Sequence, residues 1–147
     1  MYIPYYEKIR NLREDLDIKQ NEFAKMLLLK PVTYNSYELG IRAMSLKTLD
    51  EIALKLDVSL DYLFGVSKKK KYKTNFPINY GILCDNLIEV RKSKHLSQRE
   101  ISLKMNCTQQ AWSKYESGKL LLPIEYLNKF CILMDISADY LTGKNIN

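Results

Sequence analysis

The chain has 147 residues, 46% of them hydrophobic and 27% charged, with a net charge of +6. This composition supplies enough apolar material for a packed core and argues against disorder, while its apolar runs, such as Met26–Leu29, are far too short to span a membrane. One histidine (His95), three cysteines more than 20 residues apart (Cys84, Cys107, Cys131) and five glycines without a phosphate-loop or dinucleotide pattern leave little for metal, redox or nucleotide chemistry, so no enzyme, cofactor or metal is expected.

At the N-terminus, MYIPYYEKIR lacks the apolar stretch of a secretory signal, so a cytoplasmic location and no membrane partner are expected. Tyr2, Tyr5 and Tyr6 are expected to pack on their own domain, with a dimer contact as the sharper reading. Helices are expected over about 6–16, 20–28, 31–39, 45–56 and 59–64. In the fourth, Leu46, Leu49, Ile52, Ala53 and Leu56 form one helical stripe. Ser45 and Asp50 near its start, and Ser59 before the fifth, have the chemistry of caps and first turns. Gly40 and Gly65 stand where helices should stop.

Val66–Gly81 follows, with Lys68–Lys71, Lys73 and Pro77 and no helical period. It is read as a linker, over 67–80, between domains 1–66 and 81–147. A lysine run is ordinarily a solvated spacer; here it would also suit a position near phosphates. Fully extended, it would span on the order of 45 Å.

Beyond the linker the chain repeats itself at an offset of 78. Tyr37–Gly40 (YELG) returns as Tyr115–Gly118 (YESG), and Val58–Gly65 as Ile136–Gly143. From Ile9/Leu87 to Gly65/Gly143, 13 of 57 positions are identical without a gap. Substitutions such as Tyr34/Trp112 and Leu46/Ile124 keep the apolar pattern. The same five helices are therefore expected 78 residues on, with Ser137 as a cap, Gly118 and Gly143 as stops, and Cys131 as a small core residue. The fold class is all-α, two tandem five-helix domains.

The second and third helices of each half are joined by a short turn. In Leu96–Lys119, Ser97 can cap a helix beginning at Gln98, with Glu100 in its first turn, and Thr108 can cap the next. Two short helices around a tight turn form the helix-turn-helix arrangement, whose second helix enters the major groove with its N-terminal residues at base edges. Glutamine offers a donor and an acceptor together, as adenine does there. Gln109, Gln110, Ser113 and Lys114 are the candidate base readers of the second half. Thr33 and Ser36 are those of the first.

On these residues both halves resemble the Cro/phage-repressor helix-turn-helix family, over Ile9–Gly65 and Leu87–Gly143. The resemblance rests on the Gln-x-Glu stretch of the second helix, the Tyr-Glu-x-Gly end of the third, and the final Ser-x-Asp-Tyr-Leu-x-Gly. Thr108-Gln109-Gln110 is similar to the reading head of a lambdoid phage repressor. The resemblance implies lambda-repressor-like domains that bind double-stranded DNA. It implies phosphate contacts for Gln20 and Gln98 and for the basic residues past the third helix, Arg42 and Lys119. Lys19, Lys30, Ser97 and Arg99 are the neighbouring candidates. It also implies ion pairs joining the first helix to the third, Arg13 with Glu38 and Arg91 with Glu116. Tyr34 and Trp112 are expected in the core, and His95 in a solvated loop.

The halves differ in charge. Arg91–Lys119 has seven basic and two acidic residues, net +5; Arg13–Ile41 has four and five, net −1. Phosphate neutralisation drives DNA affinity, so the second domain is expected to bind more strongly. Pro31 suits a first helical position, yet Pro31 and Val32 cannot make bidentate base contacts; Val32 could touch a thymine methyl. The expected function is a DNA-binding transcriptional regulator, a repressor by preference, with a homodimer left open. The alternative is an antitoxin-like or adapter protein whose first domain binds a protein partner.

Overall fold

A computed structural model describes residues 3–72 and 75–145. The chain divides into two compact units between Asn75 and Phe76. All regular structure among the described residues is helical, five helices to each unit, and no helix is long and apolar enough to cross a membrane.

In domain 1 the helices are α1 (Tyr5–Asp15), α2 (Gln20–Met26), α3 (Pro31–Glu38), α4 (Leu46–Leu56) and α5 (Leu60–Leu63). The α4 stripe, Leu46, Leu49, Ile52 and Ala53, is fully buried with Ile9, Phe23, Tyr34, Leu60 and Leu63. Each such aliphatic side chain contributes about 1.5–3 kcal/mol by leaving water. Phe23 and Tyr34 meet edge to face at 5.4 Å, which locks α2 against α3. Tyr5 packs edge-on to Tyr6 and Phe64; Tyr2 lies outside the described residues.

Domain 2 repeats this with α6 (Tyr80–Ser93), α7 (Gln98–Met105), α8 (Gln109–Ser117), α9 (Ile124–Met134) and α10 (Ala138–Leu141). Its core holds Leu87, Ile101, Trp112, Leu127, Phe130 and Leu141, with Cys131 also buried. The repeat extends to backbone conformation. Asp17, Leu28, Gly40, Asp57 and Gly65 have left-handed φ, and so do His95, Asn106, Gly118, Asp135 and Gly143, each 78 residues on. His95 is exposed.

The caps follow side-chain chemistry. Ser45, Ser59, Ser97, Thr108 and Ser137 each accept a hydrogen bond from the backbone N–H three residues on. Asp50 is different: it lies in the second turn of α4 and is buried, so it is not first-turn chemistry. Two boundaries depart from expectation. The first helix of domain 2 begins at Tyr80 rather than 84, because Asn79 accepts from Ile82 N–H and caps it. Helix α2 ends at Met26 rather than 28, because Leu28 turns left-handed at φ 57.

The lysine-rich segment is partly tied down. Ser59 N–H donates to the Lys70 carbonyl at 2.6 Å, Lys71 pairs with Asp57 at 2.8 Å, and the Tyr72 hydroxyl donates to Asp61. Phe76 and Asn79 N–H donate to the Lys144 and Thr142 carbonyls of domain 2. The stretch left to extend is thus shorter than the whole 67–80 segment. Lys73 lies outside the described residues.

Candidate nucleic-acid interface

In domain 2, α7 and α8 form the bihelical unit. Ser97 and Glu100 cap α7 reciprocally, Ser97 Oγ accepting from Glu100 N–H at 3.0 Å and Glu100 accepting from Ser97 N–H at 3.2 Å. The backbone hydrogen bond from Ser97 holds the Glu100 carboxyl below its ordinary range. The turn is left-handed at Asn106, a residue type that tolerates that conformation. Thr108 Oγ1 then accepts from Ala111 N–H and starts α8.

A carboxylate fixes the angle between the helices. Glu116 is buried and accepts from Arg91 Nε at 2.7 Å and Nη2 at 3.1 Å, from Trp112 Nε1 at 2.6 Å and from Gln98 Nε2 at 2.9 Å. The remaining Arg91 nitrogen donates to the Leu96 carbonyl in the loop before α7. Trp112 stacks on Phe130 at 5.5 Å, closing the core beneath. One acid therefore ties α6, α7 and α8 together.

The opposite side of α8 faces outward. Gln98, Gln109, Gln110, Ser113, Lys114, Ser117 and Lys119 line one shallow, polar concavity. Gln109, Gln110, Lys114 and Lys119 are exposed, as are Ser97 and Arg99 at the start of α7. Ser117 was missed in the sequence, although 109, 113 and 117 repeat at helical spacing. The concavity carries two lysines and no carboxylate, and it runs along the length of α8.

Domain 1 builds the same frame. Glu38 accepts from Arg13 Nε at 2.6 Å, Arg13 Nη2 at 3.2 Å, Tyr34 Oη at 2.6 Å and Gln20 Nε2 at 2.7 Å. Burial alone would raise the Glu38 carboxyl, but the bonds from Arg13, Tyr34 and Gln20 hold it below its ordinary value. The bond to Glu38 raises the Arg13 guanidinium further, and burial together with Glu38 raises the Tyr34 phenol.

The outward side of α3 is built differently. Gln20 donates to Asn35 Oδ1 at 3.1 Å as well as to Glu38. A carboxylate only accepts, so the amide NH₂ must face Glu38, and both its hydrogens are then used within the domain. Gln98 makes only the Glu116 bond, because Ser113 stands where Asn35 does. The Ser36 hydroxyl donates to the Thr33 carbonyl of its own helix at 2.6 Å, and Thr33 is half-buried. Lys19, Lys30 and Arg42 are exposed, and neither Lys19 nor Lys30 caps its helix through a side chain. Asn35 carried no signal in the sequence beyond its place one turn before Glu38.

The helix-turn-helix family model matches the chain twice, over residues 9–63 and 87–141. The uncharacterized HTH-type transcriptional regulator YqaE of Bacillus subtilis (strain 168) is 37% identical over 70 residues, 47% of this chain and 60% of that protein. The chain thus spans less than two thirds of that relative. No solved structure matches significantly.

Proposed function

Because this chain belongs to the helix-turn-helix family, matched twice in tandem, we propose that it is a sequence-specific double-stranded DNA-binding transcriptional regulator that reads the major groove with α8. The observation that carries this reading is the concavity of Gln98, Gln109, Gln110, Ser113, Lys114, Ser117 and Lys119. Gln109 and Gln110 present paired donors and acceptors that match adenine in the major groove. Ser113 and Lys114, one turn on, address the neighbouring base pairs. Gln98 retains an amide hydrogen for a phosphate, Ser97 can donate its hydroxyl to another, and Arg99 and Lys119 neutralise the backbone on either side. Buried Glu116 holds Gln98 and α8 in this arrangement before DNA arrives, so little ordering is required on binding.

Domain 1 is proposed to contribute little base reading: its Gln20 amide is engaged internally, and its reading helix opens with Pro31 and Val32. Repression is the mode of action we propose, by occupying a groove that other proteins would need. In-vitro selection of DNA sites by the full chain should return a defined motif. Gln109→Ala and Gln110→Ala should relax one position each and weaken the preferred site by about 1–3 kcal/mol. An unchanged motif in both variants would show that α8 is not the reader.

A further inference from the structure

Much of the face that is polar in domain 2 is apolar in domain 1, with a polar pair, Asn35 and Ser36, kept at its centre. At the 78-residue offset, Gln110, Ser117 and Lys119 correspond to Val32, Leu39 and Ile41, and Asn106 to Leu28. These four are 82%, 54%, 77% and 94% exposed. Their counterparts Gln110, Ser117 and Lys119 line a single concavity, and α2 and α3 start at the positions that match α7 and α8 and end one residue earlier. Val32, Leu39 and Ile41 therefore share one surface, with Leu28 in the turn that leads into it. Leu28 also has a left-handed φ of 57, where a leucine is uncommon. A strained residue with its aliphatic side chain in water is unfavourable twice over in an isolated domain. The four side chains expose on the order of 500 Å², at the upper end of what a monomer shows as one patch.

We propose that this face of α3 is where a second copy of the chain docks, through an isologous, antiparallel α3–α3 contact. The sequence of the face is self-complementary under a two-fold axis. Val32 and Leu39 are seven residues apart and share a stripe, with Asn35 and Ser36 between them on the same side. Running two copies antiparallel about the Asn35–Ser36 midpoint sets Val32 on Leu39 of the other copy twice, with the polar pair at the axis. Leu28 and Ile41 extend the contact at both ends. Both copies together can then bury up to about 1,000 Å² from these residues, which reaches the lower bound for a specific interface, and the exposed rim adds to it. The dimer carries two copies of α8, one for each half of a DNA site. The proposal goes beyond the DNA-reading assignment and does not depend on it.

The test is sedimentation equilibrium of the full chain, beside Val32→Gln/Ile41→Lys, which imports the domain 2 residues at matching positions. Wild type should be dimeric at tens of micromolar, and the variant at least about tenfold weaker with its cooperative thermal transition intact. Should the double variant fail to fold, Asn35→Cys decides: Asn35 is exposed, and its oxidation should give a covalent dimer above the wild-type background. Wild type that stays monomeric at about 100 μM overturns the proposal, as does a folded double variant that dimerises as tightly as wild type. A dimer in which Asn35→Cys adds no cross-link also overturns it. A monomeric wild type whose selected DNA motif changes in the double variant would assign the face to DNA instead. Loss of DNA binding in Gln110→Ala with the dimer retained would separate failure of one reading from failure of the other.

Discussion

Replacing Arg91 by methionine tests whether the Arg91–Glu116 pair is the frame of domain 2. Both residues are buried, at 7% and 4% exposure, and the guanidinium makes two bonds to the carboxylate and one to the Leu96 carbonyl. Removing one partner of a buried pair costs about 3–5 kcal/mol, because the other charge stays buried. Glu116 keeps its bonds from Trp112 and Gln98, which places the expected loss at the low end, about 3 kcal/mol. A domain of this size has a total of roughly 4–10 kcal/mol, so the loss is a large share of it. Trp112 is the only tryptophan in the chain and donates to Glu116 itself, so its fluorescence reports this domain alone. In urea, at about 1 kcal/mol per molar, its unfolding midpoint should fall by about 3 M. Adding Glu116→Gln removes the stranded charge but leaves an acceptor for Trp112, and should recover at least about 1 kcal/mol. A loss under about 1 kcal/mol in Arg91→Met, or a double variant no more stable than the single, would refute the reasoning.

Three further outcomes are expected. Lys119→Ala should weaken binding to all DNA sequences alike and reduce the slope of log affinity against log salt by about 0.9, measured by fluorescence anisotropy across salt concentrations. In domain 1 the Glu38 carboxyl sits below its ordinary value of 4.5, so its contribution is fully present above that value and is lost as pH falls through the folded one. Circular-dichroism urea titrations should therefore show wild type more stable than Glu38→Gln near neutral pH, with the gap closing in acid; a gap constant with pH would contradict this. Lys19 provides no side-chain cap to α2, while Glu22 stands three residues on. Lys19→Ser should complete a reciprocal cap like that of Ser97 and Glu100 and raise thermal stability by about 1 kcal/mol.

The frame was legible because its signals are local or repeated. Serine and threonine caps act within three residues, glycines mark left-handed stops, and the α4 stripe needs only helical spacing. The tandem offset then gave each element a second witness. What stayed hidden depends on three-dimensional convergence. Nothing in the spacing of Gln98, Trp112 and Arg91 shows that all three donate to one carboxylate. Asn35 is one polar residue among several on α3 until its oxygen meets Gln20. Leu28 sits inside the apolar run Met26–Leu29, and its left-handed turn leaves the side chain in water. Asn79 was hidden for another reason: it caps α6 from within a stretch read as linker.

Tyr34 with Glu38, and Trp112 with Glu116, face inward one helical turn apart, and each pair anchors its helix from the buried side. Anchorage and vocabulary are thereby carried on opposite sides of the same cylinder. Apart from Asn35, which meets Gln20, the outward positions can be rewritten without disturbing the buried anchor, and this chain displays the same seat twice with two different texts. Transplanting the outward residues of α8 onto α3 should accordingly give a chain that presents the same text from both of its domains.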